Sequence, residues 1–289
     1  PVPLPHQLAV EGDFVYCSER EGQIRCLRTS DGELVWERNG KKELRLDLPT
    51  YGFAASPVVI GERVILNYGR VFALDKQTGA TVWKSKKDHG AAYSTPIDFT
   101  LDGKLFLAVF AGEGLAILAE ENGRERDFVP WKTRDDVNAM TPVVLGSRVF
   151  ISSGYGRGCA LIDLSGSKPR TLWESKVMCN QMNGAVHWEG HLYGYDEGVL
   201  KCIDLSGDER WNERVGGGSA LTIAGGRLLF GSKNGELIVA EASPAGYHEL
   251  ARSKALDSAT WPFVPVLVDG RIYIRDVAGG VAALDHRVE

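Results

Sequence analysis

The chain has 289 residues, of which 44% are hydrophobic and 25% charged, and its formal net charge is −5. This composition is that of an ordinary globular protein, and the negative charge gives no reason to expect binding to nucleic acid or to an anionic membrane. No apolar run approaches the roughly 20 residues that a membrane-spanning helix needs, so no transmembrane segment is predicted.

The predicted elements are short strands in groups of four. The first group has strands around 14–17 and 24–27 and ends at Trp36, and the charged stretch 37–47 then reads as a surface loop. The second group is the clearest, because its apolar runs are separated by turns at Gly61, Gly69 and Gly79. In 71–74, large and small side chains alternate, which predicts that they point to opposite faces of the sheet. The GYGRG stretch at 154–158 reads as a flexible hairpin, because the residues after it form a strand rather than a helix.

Self-similarity at about 40 residues is the signature of propeller blades. A closing aromatic residue recurs at Trp36, Trp83, Trp131, Trp173 and Trp211. A turn glycine, expected at positive φ, recurs at Gly32, Gly79, Gly123, Gly166 and Gly207. The sequence therefore predicts one all-β domain over 1–289, a propeller of four-stranded antiparallel blades, most simply seven in number with eight as the alternative. The predicted blades cover 1–36, 52–84, 91–131, 138–173, 181–211, 217–251 and 259–289.

The last repeat stops at Asp285, before any closing Trp. We therefore expect that an N-terminal segment beyond this sequence supplies the outer strand of the last blade. The cysteines are too few and too irregular for a disulfide framework. If Glu21-Gly22 is a two-residue turn, Cys17 lies opposite Cys26, and a cross-strand disulfide between them is one alternative to two free thiols.

The phrase SPVV at 56–59, followed by ALDKQTGATVW at 73–83, resembles the pyrroloquinoline-quinone (PQQ) propeller repeat. Quinoprotein alcohol dehydrogenases and BamB-type outer-membrane assembly lipoproteins share this repeat. Narrower phrases, such as YGFAASPVV at 51–59 and VNAMTPVV at 137–144, resemble the exported PQQ-like propellers of environmental bacteria. The resemblance implies the fold and a periplasmic or extracellular location, and it leaves the activity open because propellers carry many functions.

The main functional prediction is a monomeric, non-catalytic scaffold that binds a protein or glycan partner and needs no cofactor. Residues just before each inner strand are expected at the mouth of the propeller axis, where aromatic side chains would anchor a partner. These candidates are Tyr51, Phe53, Tyr93, Asn138, Asn183, Ser219 and Trp261. Exposure distinguishes the two roles open to the aromatic residues, since plugs of the channel would be buried and anchors would keep a ring face open.

Two enzymatic alternatives remain. A PQQ- and calcium-dependent dehydrogenase would, by resemblance, need adjacent cysteines and several carboxylates, but the sequence has no adjacent cysteines. The nearest acidic candidates for calcium are Asp135 and Asp136, and one acidic pair is short of the six or more oxygens that calcium takes. A propeller lyase or hydrolase acting on glycans would need a base, for which His89 is the histidine nearest an entry loop, and a lone loop histidine is more often a surface residue.

Overall fold

A computed structural model describes residues 7–45, 47–90, 93–182, 184–216, 220–257, 264–276 and 279–285. Within these ranges the chain forms seven antiparallel sheets, six of four strands and one of three, in which strands adjacent in sequence are also adjacent in the sheet. The seven sheets confirm the predicted all-β propeller. None of the described helices is long or apolar enough to cross a bilayer.

The first three sheets follow one another in the chain. Their strands are β1 Gln7–Glu11, β2 Phe14–Ser18, β3 Gln23–Arg28 and β4 Leu34–Asn39; β5 Val58–Ile60, β6 Arg63–Tyr68, β7 Arg70–Asp75 and β8 Thr81–Lys84; β9 Ile97–Leu101, β10 Lys104–Ala111, β11 Gly114–Ala119 and β12 Glu125–Pro130. The charged stretch 37–47, predicted as a loop, instead extends β4 to Asn39 and then forms the short helix α1, Gly40–Glu43. Asn39 caps α1 by accepting a hydrogen bond from the Lys42 backbone N–H at 3.0 Å.

The remaining four sheets continue the same order. Their strands are β13 Val143–Leu145, β14 Arg148–Ser153, β15 Gly158–Asp163 and β16 Arg170–Ser175; β17 Val186–Trp188, β18 His191–Asp196, β19 Val199–Asp204 and β20 Glu209–Glu213; β21 Leu221–Ala224, β22 Arg227–Gly231, β23 Glu236–Glu241 and β24 Glu249–Lys254; β25 Val266–Val268, β26 Arg271–Arg275 and β27 Val281–Asp285. Among the described residues the seventh sheet has no fourth strand. The origin of such a strand stays a prediction.

By their internal contacts the described residues divide into two compact units. The N-terminal unit comprises 7–151 and 162–170, and the C-terminal unit comprises 152–161 and 171–285. The first three sheets belong to the N-terminal unit and the last three to the C-terminal unit. That 1–289 forms one domain stays a prediction.

Alternate side chains of β7 in the second sheet pack against different neighbouring sheets, as the alternation in 71–74 predicted. Phe72 and Leu74 of β7 are buried against the first sheet, whose Tyr16 and Trp36 share their cluster. Val71 and Ala73 of β7 are buried against the third sheet, in a cluster with Trp83, Leu107 and Val109. In this part of the N-terminal unit the core therefore lies in the wedges between successive sheets, and the second sheet is apolar on both faces because it closes two of these wedges.

A tryptophan in the fourth strand joins each of several sheets to the next. The Trp36 indole N–H donates to the Lys76 carbonyl at 3.0 Å, in the turn after β7. The same bond joins Trp173 to Leu205 at 2.9 Å and Trp211 to Ser243 at 2.7 Å within the C-terminal unit. The turn glycine that follows the acceptor lies under the ring, since a Cβ on Gly79 would come within 2.7 Å of Trp36. The repeated Trp of one sheet therefore packs against the repeated turn Gly of the next sheet.

The third sheet departs from the predicted repeat. Trp131 lies after the end of β12, and the position opposite Ile117, which corresponds to that of Trp36 opposite Cys26, holds Asp127. The prediction that Trp131 closes this sheet is wrong. Arg126, the residue before Asp127, makes the bond to the next turn instead: its Nη2 donates to the carbonyls of Leu164 and Gly166, both at 3.0 Å. Gly166 is also not among the described glycines at positive φ, whereas the other four predicted turn glycines are.

The loop between β2 and β3 is longer than a two-residue turn. The register therefore shifts by one residue, so that Tyr16 pairs with Cys26 and Cys17 pairs with Arg25. Because neighbouring residues of a strand point to opposite faces, Cys17 and Cys26 are on opposite sides of the sheet. Both thiols are free, so of the two alternatives that the sequence left open the structure has two free thiols.

Candidate functional site

Three connecting segments of the N-terminal unit lie against the turns between the second and third strands of its sheets. The segments are 47–57, 85–96 and 131–142, and positions 46 and 91–92 lie outside the described residues. Backbone hydrogen bonds attach them: Phe53 donates to Arg20 at 2.9 Å, His89 to Gly69 at 3.2 Å and Trp131 to Glu113 at 2.9 Å. We call the surface made by these segments and turns the loop face.

An aromatic pair occupies the loop face. The rings of Tyr51 and Tyr93 meet edge to face, with centroids 5.8 Å apart. Tyr51 is 56% exposed, whereas Tyr93 is half-buried, and this burial raises the pKa of its hydroxyl. The Ser56 backbone N–H donates to the Thr95 hydroxyl at 3.0 Å and ties the same two segments together. Tyr51 therefore presents an open ring on a backbone that is fixed by neighbouring contacts.

Two other predicted mouth residues are buried and hold the loop face in place. Phe53 is 4% exposed, and its ring packs 4.5 Å from that of Tyr68. Asn138 is completely buried, and its Nδ2 lies 2.8 Å from the Ala111 carbonyl and 3.1 Å from the Trp131 carbonyl. Neither side chain presents a surface to a ligand. Asn183, Ser219 and Trp261, the other three predicted positions, lie outside the described residues.

The acidic pair on the same face does not suit a calcium-bound quinone. Asp135 and Asp136 are both exposed, and Asp136 has a positive φ of 52°. Among the described residues no three histidine, cysteine, aspartate or glutamate side chains come together as a metal site. Calcium takes six to eight oxygen ligands, so two exposed neighbouring carboxylates do not fit the ion. We therefore derive no chemistry through it.

His89 is not the lone surface histidine that the sequence predicted. It is buried, its Nε2 lies 2.7 Å from Glu125 Oε2, and its Nδ1 lies 3.4 Å from Glu113 Oε2. Its ring stacks on Phe128 with centroids 4.3 Å apart and planes 7° apart. Because both carboxylates come from the third sheet, His89 fixes the 85–96 segment to that sheet.

Glu125 connects this histidine to a lysine. Lys87 Nζ lies 2.8 Å from Glu125 Oε1. Burial raises the pKa of the Glu125 carboxyl, but the hydrogen bonds from Lys87 and His89 outweigh burial, so the pKa lies below its usual value. No local pattern could have revealed this group, because Glu113 and Glu125 follow His89 by 24 and 36 residues.

Comparison with known proteins identifies the family. Residues 2–213 match the family model described as outer membrane protein assembly factor BamB. The chain belongs to this family. It is 22% identical to the outer membrane protein assembly factor BamB of Yersinia pestis over 296 aligned residues, which cover 94% of this chain and 71% of that protein.

Two solved structures show the same fold. The BamB crystal structure from Moraxella catarrhalis superimposes with a TM-score of 0.72 at 18% identity, covering 98% of this chain and 83% of that one. A europium-containing methanol dehydrogenase superimposes with a TM-score of 0.65 at 13% identity, covering 92% of this chain and 71% of the enzyme. The similarity to the methanol dehydrogenase shows a shared fold only, since propellers host unrelated activities.

Proposed function

We propose that this protein is a non-catalytic scaffold that binds a partner protein through the loop face of its N-terminal unit. The observation that carries the proposal is the exposed ring of Tyr51 held against Tyr93. Large aromatic side chains supply much of the binding energy at protein interfaces, and a fixed backbone lowers the entropy that binding costs. The backbone bonds of Phe53, His89 and Trp131 provide that fixation.

Membership of the BamB family supports a partner in outer-membrane protein assembly. On the same resemblance we infer that the protein works outside the cytoplasm, as a monomeric domain and without a cofactor. A glycan partner is the alternative ligand for the same aromatic pair, because sugar rings also stack on tyrosine. We prefer a protein partner because the relatives are named for protein assembly.

A photo-crosslinking experiment tests the scaffold. Position 51 is replaced by p-benzoylphenylalanine in cells, and the matched control carries the same residue at Val82, which is 50% exposed in β8. The proposal predicts one protein adduct from position 51 that is absent from position 82. Its identification by mass spectrometry as an outer-membrane assembly component would support the proposal, and identical adduct patterns or none from position 51 would contradict it.

A thermal titration with PQQ, with and without calcium, tests whether the protein binds the quinone cofactor of the dehydrogenase alternative. A ligand at a hundredfold excess over its dissociation constant stabilises the folded state by about 2.7 kcal/mol. We expect no shift in melting temperature with either addition. A calcium-dependent rise of several degrees would overturn the non-catalytic assignment and favour the quinoprotein alternative.

A further inference from the structure

The wedge between the second and third sheets is less completely filled than the wedge before it. The first wedge contains Tyr16, Trp36, Phe53, Tyr68 and Phe72, all buried. In the second wedge the only buried aromatic side chain of the described cluster is Trp83, which is 9% exposed, with Phe128 partly buried beside it. The difference follows from side-chain volume, because the aligned positions in the second wedge carry smaller residues.

Much of the difference in side-chain volume between the two wedges comes from one pair of aligned positions. Phe72 pairs with Leu66 in the second sheet, and Ala116 occupies the same register position opposite Val109 in the third. The exchange of a phenyl ring for a methyl group removes several carbon atoms from the wedge. The Trp83 indole N–H is buried there without a partner among the described residues, whereas that of Trp36 is bonded. The second wedge therefore lacks apolar side-chain volume and also leaves a buried hydrogen-bond donor without an acceptor.

A cavity of about 440 Å³ lies in the second wedge. Its inner wall is apolar and includes Val71, Val109, Ala116 and Leu118, each at most 2% exposed. Its rim is polar and includes the His89–Glu125 pair described above. A volume of this size, apolar inside with a few polar groups at the edge, is typical of a site for a small molecule.

The rim carries more positive than negative charge. Lys86, Lys87 and Arg124 line it, against the single carboxylate of Glu125. Lys87 already pairs with Glu125 at 2.8 Å. Lys86 and Arg124 are exposed, and neither forms an ion pair with another described residue. Lys84 also lines the cavity, is exposed and forms no ion pair with another described residue, so three cations are available at the entrance to an apolar cavity.

We propose that this cavity binds a small amphipathic carboxylate. The apolar body of the ligand lies against Ala116, Val109 and Leu118, and its carboxylate meets the Arg124 guanidinium, which can donate two parallel hydrogen bonds. The Lys86 ammonium adds a second positive charge at the rim. A doubly charged phosphate suits the cavity less well, because Glu125 lies at the same rim and the inner wall offers no polar group to replace water.

Calorimetric titration with 3-phenylpropionate tests the proposal. We expect saturable binding to the wild-type chain, at least about tenfold weaker binding of the uncharged 3-phenylpropanamide, and no saturable binding of acetate, which lacks the apolar body. Failure of 3-phenylpropionate to bind would overturn the proposal. Equal affinities for the acid and the amide would overturn the assignment of a carboxylate site.

Two kinds of variant locate the binding in the cavity. Ala116→Phe restores the residue of the preceding wedge and should abolish binding, and the smaller Ala116→Leu serves if the larger residue prevents folding. Arg124→Gln should weaken binding about tenfold, while Arg170→Gln, at an exposed arginine in β16, should leave it unchanged. Undiminished binding in folded Ala116→Phe or Ala116→Leu would contradict the proposed location. The crosslinking test at Tyr51 is independent of all these outcomes.

Discussion

The ring of Trp36 in β4 lies against the Cα of Gly79, in the turn that follows β7 in the next sheet. A Cβ on Gly79 would stand 2.7 Å from Cε3 of that ring, which is closer than van der Waals contact allows. The glycine also has a φ of 70°, a conformation that costs other residues roughly 1 kcal/mol or more. Two separate reasons therefore require glycine at this position.

Gly79→Ala should lower the free energy of unfolding by about 2–4 kcal/mol, because the backbone strain adds to displacement of Trp36. Gly32→Ala is the matched control, since Gly32 has a φ of 74° at the same turn position but nothing within 4 Å of its Cβ direction. The control should lose only about 1 kcal/mol. Chemical denaturation measures both, and equal losses would show that the contact with Trp36 is not tight.

Tyr51 and Phe53 are two residues apart and should respond differently to truncation. Phe53→Ala removes a buried ring packed on Tyr68 and should cost about 3–5 kcal/mol of stability. Tyr51→Ala removes an exposed ring and should cost less than about 1 kcal/mol. Urea denaturation of the two variants checks this difference, and a large loss in Tyr51→Ala would assign that ring to the core.

Asn138 should not tolerate a carboxylate. Its Nδ2 faces the carbonyl oxygens of Ala111, Gly112 and Trp131, so Asn138→Asp places negative charge against three acceptors. We expect a loss of about 3 kcal/mol or more at neutral pH, which becomes smaller in acid as the carboxyl is protonated. Asn122→Asp, at an exposed turn position, is the control. A loss for Asn138→Asp that does not depend on pH would contradict the charge argument.

The stability contributed by Glu125 should depend on pH. Its pKa lies below the usual value in the folded protein, so the folded state favours the ionised form, and the contribution is present above the unfolded pKa of about 4.5. Glu125→Gln should therefore lose about 1 kcal/mol at pH 7, since its bonds to Lys87 and His89 no longer involve a charged acceptor. The difference from wild type should vanish as the pH falls through the folded pKa. Glu121→Gln, at an exposed position in the adjacent turn, is the matched control.

The repeat was predictable because it follows from local chemistry. A four-stranded sheet needs alternating apolar residues, a turn glycine and a closing aromatic, and all three are visible along 55–84 without knowledge of the fold. The third sheet shows the limit of this reasoning. Trp131 matched the residue type of the pattern, but only strand register shows that Asp127 occupies the position.

Register also explains why Cys17 and Cys26 do not face each other. The loop between β2 and β3 comprises 19–22, two residues more than the expected turn, and it places Cys17 opposite Arg25 instead of Cys26. Nothing in the local sequence fixes that loop length. The partners of His89 were unpredictable for a related reason, because the contacts join segments separated by a complete strand pair.

At the candidate site, residue type predicted the position of the segments better than the exposure of individual side chains. Of the predicted residues that the structure describes, Tyr51 and Tyr93 form the aromatic pair of the loop face, whereas Phe53 turns inward to fill a wedge and Asn138 satisfies backbone carbonyls. An aromatic or an amide serves equally well in a core and at a surface. Only the packing of the neighbouring sheet decides between these two roles.

Arg126 reaches the Leu164 carbonyl in the way that Trp36 reaches the Lys76 carbonyl, so the same acceptor position accepts a hydrogen bond from two different kinds of donor. An indole and a guanidinium differ in charge, shape and hydration, yet each spans the gap between an outer strand and the next turn. The side chain that donates this hydrogen bond from one sheet to the next can therefore be changed in a single sheet. Blades that carry unlike side chains at this position are compatible neighbours, so chimeras that exchange single blades need not conserve the tryptophan.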